Sequence, residues 1–188
     1  MEKKTVLIVL ADGFEEIEAF TPMDVLRRLG CHVDLVSLQE RTVRGAHGLS
    51  VNADLVFHDA DFSAADAIVL PGGLPGAVNL QNHKELRQKL REAAAEKRIT
   101  AAICAAPIVL QDAGLLESEK CTGYPGSEKL AEKAGLHYSG AMVEHSGSVI
   151  TAKGPGAAFA FSREIALALG CSPDQFQQLA ESMMVVQA

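Results

Sequence analysis

The sequence predicts one α/β domain over residues 1–188, built on a doubly wound and mainly parallel sheet with helices on both faces. Two observations predict it. Short, uninterrupted apolar segments alternate with longer helical patterns along the whole chain. Apolar residues make up 48% of the chain but aromatic residues only 5%, with no Trp, so Ala, Val, Ile and Leu must fill the core. That composition suits a sheet buried on both faces.

The N-terminal half contains three predicted core strands. Thr5–Leu10, His32–Leu38 and Ala67–Leu70 are rich in β-branched residues and Leu, as buried parallel strands are. A helix is predicted from Glu15 to about Leu29, with acidic residues in its first turn, arginines in its last turn and a glycine after it. Pro22 predicts a kink in this helix.

The remaining elements follow from periodicity and from glycine and proline boundaries. Residues Thr42–Arg44 and Ser50–Ala53 flank a Gly-Ala-His-Gly turn and predict a hairpin off the main sheet. His83 to Arg98 has the pattern of a largely exposed helix, and Ile99–Ile103 is a fourth buried strand. The later predictions are a helix from Pro107 that Gly114 ends, a short strand Cys121–Gly123, a short helix Ser127–Ala134, a hairpin of Val143–His145 and Val149–Ala152, a helix from about Ala157 to Leu169, and a last helix opened by Pro173.

Charge and composition exclude several classes of partner. The net charge of −7 and the scattered Lys and Arg argue against nucleic acid as the main partner. No apolar run approaches the roughly 20 residues that span a bilayer, and no signal-peptide pattern precedes the first strand, so we expect a cytoplasmic protein without a membrane partner. The four cysteines are far apart in sequence and predict free thiols, and no cysteine or histidine spacing predicts a metal site.

Cys104 lies where the fourth strand ends and the helix containing Pro107 begins. Small residues, Ala102 and Ala106, lie two positions to either side, as a sharp strand-to-helix elbow requires. The positive end of the helix dipole at such a corner favours the thiolate over the thiol. On this segment alone two interpretations stay open: a nucleophilic cysteine, or a small core residue.

Three carboxylates in the first helix are candidate proton partners for a thiolate. Glu15 and Glu18 share a helix face, and Glu18 lies beside apolar positions, where burial would disfavour its ionised form. A protonated Glu18 would donate to a thiolate and later move a proton. The simpler interpretation, preferred for Glu15 and Glu16, is that first-turn acids complement the helix N-terminus.

Backbone N–H groups at glycines are candidate donors to a developing oxyanion. Gly72 and Gly73 follow the third core strand, and with the N–H of Ala105 they could form an oxyanion hole. The alternative is an ordinary Pro-Gly-Gly turn.

Two further segments are candidate lining of the same pocket. Gly154 and Pro155 open a Gly-Pro-Gly turn that imitates a dinucleotide-binding motif, but Phe159 stands where the third glycine belongs, so no nucleotide is expected there. His47 lies at the tip of the first hairpin and could reach a neighbouring subunit.

Five stretches of the chain together resemble the ThiJ/PfpI superfamily, in its deglycase branch. They are Leu-Ala-Asp-Gly-Phe-Glu-Glu-Ile-Glu (10–18), Asp-Val-Leu-Arg-Arg (24–28), Val-Leu-Pro-Gly-Gly (69–73), residues 101–107 and Gly-Pro-Gly (154–156). The resemblance implies a flavodoxin-like fold and a homodimer. It implies Cys104 as a nucleophile at a strained elbow, Glu18 as the carboxyl that hydrogen-bonds the thiol, and Gly72, Gly73 and Ala105 as backbone donors.

Two positions depart from the family pattern. Tyr124 stands where some members carry a histidine, and a tyrosine, with an ordinary pKa of about 10, is no base near neutrality. A Cys104–Glu18 dyad is therefore expected rather than a triad. Ala105 stands where the protease branch has a histidine, which argues against peptidase activity.

The resemblance and the residues together predict a glyoxalase- or deglycase-type enzyme that needs no cofactor. Its partners would be small α-oxoaldehydes, such as methylglyoxal and glyoxal, or their glycated adducts, with hydroxy acids as products. The alternative is a redox-responsive sensor or chaperone in which Cys104 is oxidised.

Overall fold

The computed structural model describes residues 3–116, 120–133 and 135–185. Within these ranges the strands are β1 (Thr5–Leu10), β2 (His32–Ser37), β3 (Thr42–Arg44), β4 (Ser50–Asn52), β5 (Leu55–Val56), β6 (Ala67–Leu70), β7 (Ile99–Ile103), β8 (Val143–Ser146) and β9 (Val149–Ala152). The α-helices are α1 (Glu16–Arg28), α2 (Gly76–Asn82), α3 (Lys84–Ala95), α4 (Pro107–Asp112), α5 (Ala158–Ala168) and α6 (Pro173–Ser182).

Seven strands form the central sheet in the order β5-β2-β1-β6-β7-β9-β8. All neighbouring pairs are parallel except β8 and β9, which form an antiparallel hairpin at one edge. Strands β3 and β4 pair separately, as the hairpin off the main sheet that the sequence predicts. The doubly wound α/β fold is thereby confirmed. From β1 the chain continues to β2 on one side, and from β6 to β7 on the other, so the crevice between β1 and β6 is a topological switch point.

Each face of the sheet is covered by helices. Helices α1, α5 and α6 pack on one face, and α2, α3 and α4 pack on the other. Strand β6 shows why its sequence is an unbroken apolar run: Ala67 and Val69 point into the first layer, Ile68 and Leu70 into the second, and all four are fully buried. Among the described residues, no helix is long and apolar enough to cross a membrane.

The structure corrects the sequence at three elements. Cys121–Gly123 is not a strand: Cys121 makes a single bridge to Tyr138, and the N–H of Thr122 donates to Thr151 Oγ1 at 2.9 Å. A hydrogen bond to a side chain thus takes the place of the backbone pairing that a strand would make in this segment. The predicted short helix is a 3₁₀ turn at Ser127–Leu130, and Ala134 lies outside the described residues.

Helix α2 has no counterpart in the prediction. Helix α1 runs through Pro22 as one element, as predicted, and the kink at Pro22 stays a prediction. At the first residue of α2, the backbone N–H of Gly76 donates to the carbonyl of Gly13 at 3.3 Å. A Cβ atom on Gly76 would lie only 2.7 Å from the backbone of Gly13 and Phe14. Gly76 is needed here because only a residue without a side chain fits against this backbone, a requirement that helical periodicity cannot reveal.

Candidate functional site

The corners that follow β1, β6 and β7 meet at the carboxyl edge of the sheet. The N–H of Glu15, which precedes α1, donates to the carbonyl of Gly72 at 3.0 Å. Gly73, with φ +87°, packs against the backbone of Gly13 and Phe14 so closely that a side chain would not fit. Because parallel strands end at one edge, residues separated by almost a hundred positions share one site.

Cys104 occupies a strained elbow at the end of β7. Its φ is +64°, a left-handed conformation that costs a side-chain-bearing residue free energy and that occurs preferentially at functional sites. Backbone hydrogen bonds hold it on both sides: its N–H donates to Ala152 at 2.9 Å, and its carbonyl accepts from Tyr124 at 2.7 Å. The residue is 8% exposed, so the thiol lies just below the surface.

Glu18 projects from the first turn of α1 into the core beside Cys104 and is fully buried. The N–H of Gly72 donates to its Oε2 at 2.9 Å, while Oε1 has no hydrogen-bond partner among the described residues. Burial raises the pKa of Glu18 from its ordinary value of 4.5 to about 7, although contacts with Cys104 and Gly72 oppose the shift. The desolvation expected from the sequence is therefore present.

The pKa of the Cys104 thiol is raised, not lowered, which corrects the expectation from the helix dipole. Burial, followed by the charge of Glu18 and the contact with it, raises this pKa to about 12. Backbone N–H groups of Gly73 and Ala105 interact with the sulfur and oppose the shift. Since two anions in one buried site repel each other, the pair loses its two protons in separate steps: it holds both protons below pH 7 and a single proton above it.

The three predicted backbone donors have different partners. The N–H groups of Gly73 and Ala105 interact with the sulfur and favour its anionic form. The N–H of Gly72 is engaged by Glu18 and is not free to bind an oxyanion. The sequence shows that glycine follows β6, but it does not show which N–H points where.

Glu15 and His47 lie beside the site, in a cluster with Glu16. His47 Nδ1 lies 2.8 Å from Glu16 Oε2 and 3.4 Å from Glu15 Oε1. These carboxylates raise the pKa of His47, whose side chain is 70% exposed. The three ligand atoms lie within 4.8 Å of one another, so this cluster could hold a metal ion. Within this chain, the His47 ring therefore lies against Glu16, the first residue of α1.

Tyr124 and Gly154 form another border of the site. The Tyr124 side chain is 53% exposed, and a Cβ on Gly154 would lie 3.5 Å from its ring. Pro155 opens a 3₁₀ turn, Pro155–Ala157, directly after Gly154. The Gly-Pro-Gly segment is thus a backbone turn beside Tyr124.

Tyr138 is a residue of this region that the sequence did not indicate. Its hydroxyl lies 3.0 Å from Ser127 Oγ, which itself donates to the carbonyl of Tyr124 at 2.8 Å. Burial raises the pKa of Tyr138, and a Cys104 anion would raise it further. The ring also fills the space in front of Gly123, so it supports the segment that carries Tyr124. Nothing in the local sequence distinguishes this tyrosine.

A model of the DJ-1/PfpI family matches residues 4–168. The chain belongs to the DJ-1/PfpI family. This confirms the resemblance seen in the five sequence stretches.

Individual members of the DJ-1/PfpI family match over most of this chain. Protein DJ-1 homolog A of Arabidopsis thaliana is 41% identical over 162 residues, 85% of this chain, but the match spans only 41% of that longer protein. A deglycase of Pyrococcus abyssi is 35% identical over 161 residues, which cover 85% of this chain and 95% of the relative. The solved structure of oxidized DJ-1 from Toxoplasma gondii, 32% identical, superimposes with a TM-score of 0.89 over 98% of this chain and all of that one.

Proposed function

We propose that the chain is a cysteine-dependent enzyme of the glyoxalase or deglycase type that acts without a cofactor on α-oxoaldehydes or their adducts. The observation that carries the proposal is the shared proton of Cys104 and Glu18 at a strained elbow. Burial disfavours a second charge, so above pH 7 the pair keeps one proton, which one group can donate while the other is ionised. The deglycase name of the Pyrococcus abyssi relative supports the same class of reaction.

The first step is addition of the thiolate to the aldehyde carbon of methylglyoxal. The Cys104–Glu18 proton resides on Glu18, the sulfur forms a bond to carbon, and the aldehyde oxygen becomes an oxyanion. The N–H groups of Gly73 and Ala105, which interact with the sulfur, would stabilise the charge on this oxygen. Glu18 then gives its proton to the oxygen and leaves a neutral hemithioacetal.

The second step moves hydrogen between the two carbons of the substrate. The Glu18 carboxylate removes the proton from the former aldehyde carbon, and the hydroxyl proton on that carbon passes to the ketone oxygen, which gives an enediolate. Glu18 then returns its proton to the neighbouring carbon, and the oxygen of the first carbon becomes the thioester carbonyl. The product is a lactoyl thioester on Cys104. Water then attacks the thioester carbonyl, which releases lactate and restores the shared proton. Substrate and water supply all atoms, and no electron acceptor is needed.

Adducts of the same aldehydes on amines would enter the scheme at the same carbon. The thiolate would displace the amine from a carbinolamine, and the scheme would then continue unchanged. The exposed Tyr124 at the border of the site supports access for a group attached to a larger molecule.

Lactate formation from methylglyoxal, measured without glutathione, tests the proposal. We expect turnover in the wild type and a loss of at least about a hundred-fold in Cys104→Ser and Glu18→Gln, the range in which proton-transfer residues act. Cys171→Ser is the matched control, because Cys171 is buried elsewhere and its sulfur hydrogen-bonds the Ser172 carbonyl, as a serine would. Undiminished turnover in Cys104→Ser would refute the proposal.

A redox role for Cys104 is the second candidate, and the unpartnered Oε1 of Glu18 favours it. A protonated Glu18 would donate to an oxygen added to the sulfur, and the N–H groups of Gly73 and Ala105 would hold another. The related Toxoplasma gondii structure is described as oxidized. In this reaction two peroxide molecules each transfer one oxygen to the sulfur and leave as water, giving a sulfinic acid.

Mass spectrometry after dilute peroxide distinguishes the two roles. A gain of two oxygen atoms confined to Cys104, faster than aldehyde turnover in the same preparation, would favour the sensor. The raised thiol pKa predicts slow oxidation, and it lowers the fraction of thiolate for aldehyde addition as well, so the two rates must be compared directly.

The homodimer implied by the family resemblance remains part of the proposal. Ile17 on α1 is 49% exposed, and with Phe20 and Met183 it lines one apolar surface groove. Light scattering should give twice the chain mass for the wild type and a single chain mass for Ile17→Asp.

A further inference from the structure

A crevice lies at the carboxyl ends of β1 and β2, apart from the residues assigned to the Cys104 reaction. Its volume is about 340 Å³, within the range of small-molecule sites. Residues after β1 and β2 form one wall, and the C-terminal part of α2 forms the other. Because α2 follows β6, this is the switch-point crevice, the place where open parallel sheets bind ligands.

Ser37 is the feature that points to a ligand. It lines the crevice, it is 1% exposed, and its hydroxyl has no hydrogen-bond partner among the residues that the structure describes. A buried hydroxyl without a partner costs free energy comparable to a lost hydrogen bond. The hydroxyl oxygen has almost no exposed surface, so a rotation of the Ser37 side chain would bring it to the crevice, where a polar atom of a ligand would supply the missing partner.

The opposite wall offers further hydrogen-bonding groups in fixed positions. Asn79 donates its amide to the carbonyl of Asp12 at 2.9 Å, which leaves its side-chain oxygen available to a ligand. The Nδ1 atom of His83 accepts from the N–H of Leu86 at 3.1 Å, so the neutral ring carries its proton on Nε2. The His83 ring also packs on Phe57, with centroids 4.5 Å apart, which fixes its orientation.

The charge of the lining selects the ligand. Asp12 and Glu40 contribute carboxylates, and the described lining residues include no Lys or Arg. An anionic ligand would be repelled, whereas a cationic amine would find an opposite charge. Hydroxyl and amide side chains around the wall match a ligand rich in hydroxyl groups.

We propose that this crevice binds a small polyhydroxylated amine of the size of an amino sugar. Ser37, Asn79 and His83 would hydrogen-bond its hydroxyl groups. Asp12 and Glu40 would face its ammonium group. The site is independent of the chemistry proposed for Cys104, and either could exist without the other.

Saturation-transfer NMR and calorimetry on the intact protein test the proposal with methyl glycosides, which have no free aldehyde to react with Cys104. We expect saturable binding of methyl glucosaminide, weaker binding of methyl glucoside, and none of methyl glucuronide. Ser37→Ala should weaken the first two by about five-fold, as loss of one hydrogen bond does. Glu40→Gln should weaken only the glucosaminide.

Controls separate these effects from misfolding and from the Cys104 site. Ser37→Ala should melt no lower than the wild type, since it removes an unpartnered hydroxyl. Ser162→Ala, at a buried serine in α5, and Cys104→Ser should leave binding unchanged. The proposal is overturned if no glycoside binds saturably, if the glucuronide binds as well as the glucosaminide, if Ser37→Ala and Glu40→Gln have no effect, or if Cys104→Ser abolishes binding.

Discussion

Gly72 and Cys104 approach so closely that a Cβ atom on Gly72 would lie 2.6 Å from the Cβ of Cys104. The same atom would lie 2.8 Å from Glu18 Oε2 and 2.9 Å from the N–H nitrogen of Ala105. The absence of a side chain at Gly72 is therefore what allows the thiol, the carboxyl and a backbone donor to share one small volume.

Gly72→Ala should disable the site. The added methyl must displace Cys104 or the backbone of Ala105, and overpacking of this kind costs about 1–3 kcal/mol of stability. We expect kcat/KM for methylglyoxal to fall by at least about a hundred-fold, because a misplacement of about 1 Å has that effect. Gly156→Ala is the control: Gly156 has open space around it and no positive φ, so this variant should keep wild-type kinetics. Normal turnover in Gly72→Ala would contradict the proposed geometry.

Burial of Glu18 should make stability fall as pH rises. Its pKa is about 7 in the folded protein and near 4.5 when unfolded, so the folded state binds the proton more tightly. The resulting stabilisation is complete below pH 4.5 and is lost as pH rises to about 7. It amounts to roughly 3 kcal/mol by the usual conversion of pKa difference to free energy. Urea unfolding at a series of pH values measures it.

Glu18→Gln is the comparison for that series, because the glutamine oxygen can still accept from the N–H of Gly72. Its free energy of unfolding should change less than that of the wild type between pH 4.5 and 7. Parallel curves for the two proteins would show that Glu18 does not titrate as its burial implies.

Glu18→Gln should also lower the pKa of the Cys104 thiol. The charge of Glu18 and its contact raise this pKa, and the substitution removes the charge. Burial, the largest cause, remains, so the pKa should fall from about 12 but stay above that of an ordinary cysteine. Ultraviolet absorbance of the thiolate against pH measures it, with Cys104→Ser subtracted to remove the other three thiols. An unchanged midpoint would exclude electrostatic coupling of the pair.

The strained backbone at Cys104 should lower the free energy of unfolding of any variant that keeps a Cβ atom at this position. Cys104→Gly should be more stable than Cys104→Ala by about 1 kcal/mol, because glycine adopts a φ of +64° without the cost that a Cβ brings. At Ala106, with φ −67°, the ordering should reverse, and Ala106→Gly should destabilise by about 0.5–1 kcal/mol. Thermal unfolding of the four proteins provides the measurement. A less stable glycine variant at 104 would argue against stored strain.

Much of the fold could be predicted because it rests on local chemistry. Strands β1, β6 and β7 are buried on both faces, so each is an unbroken apolar run that needs no tertiary information to recognise. The prediction of a strand at Cys121–Gly123 failed because the backbone of this segment is held by the Thr151 hydroxyl and by the N–H of Ser139 rather than by a ladder of strand pairing. Helix α2 escaped prediction because its first residue is determined by the approach of a distant glycine.

The sequence by itself determined the α/β class, the family and the residues that meet at one edge of the sheet. Only the tertiary structure decided how those residues act on one another. It directs the N–H of Gly72 to Glu18 rather than to a substrate oxygen. It also raises the thiol pKa where the helix dipole alone would lower it. The physical reason is that hydrogen-bond direction and desolvation depend on what surrounds a group in space, and neighbours along the chain are only a small part of those surroundings.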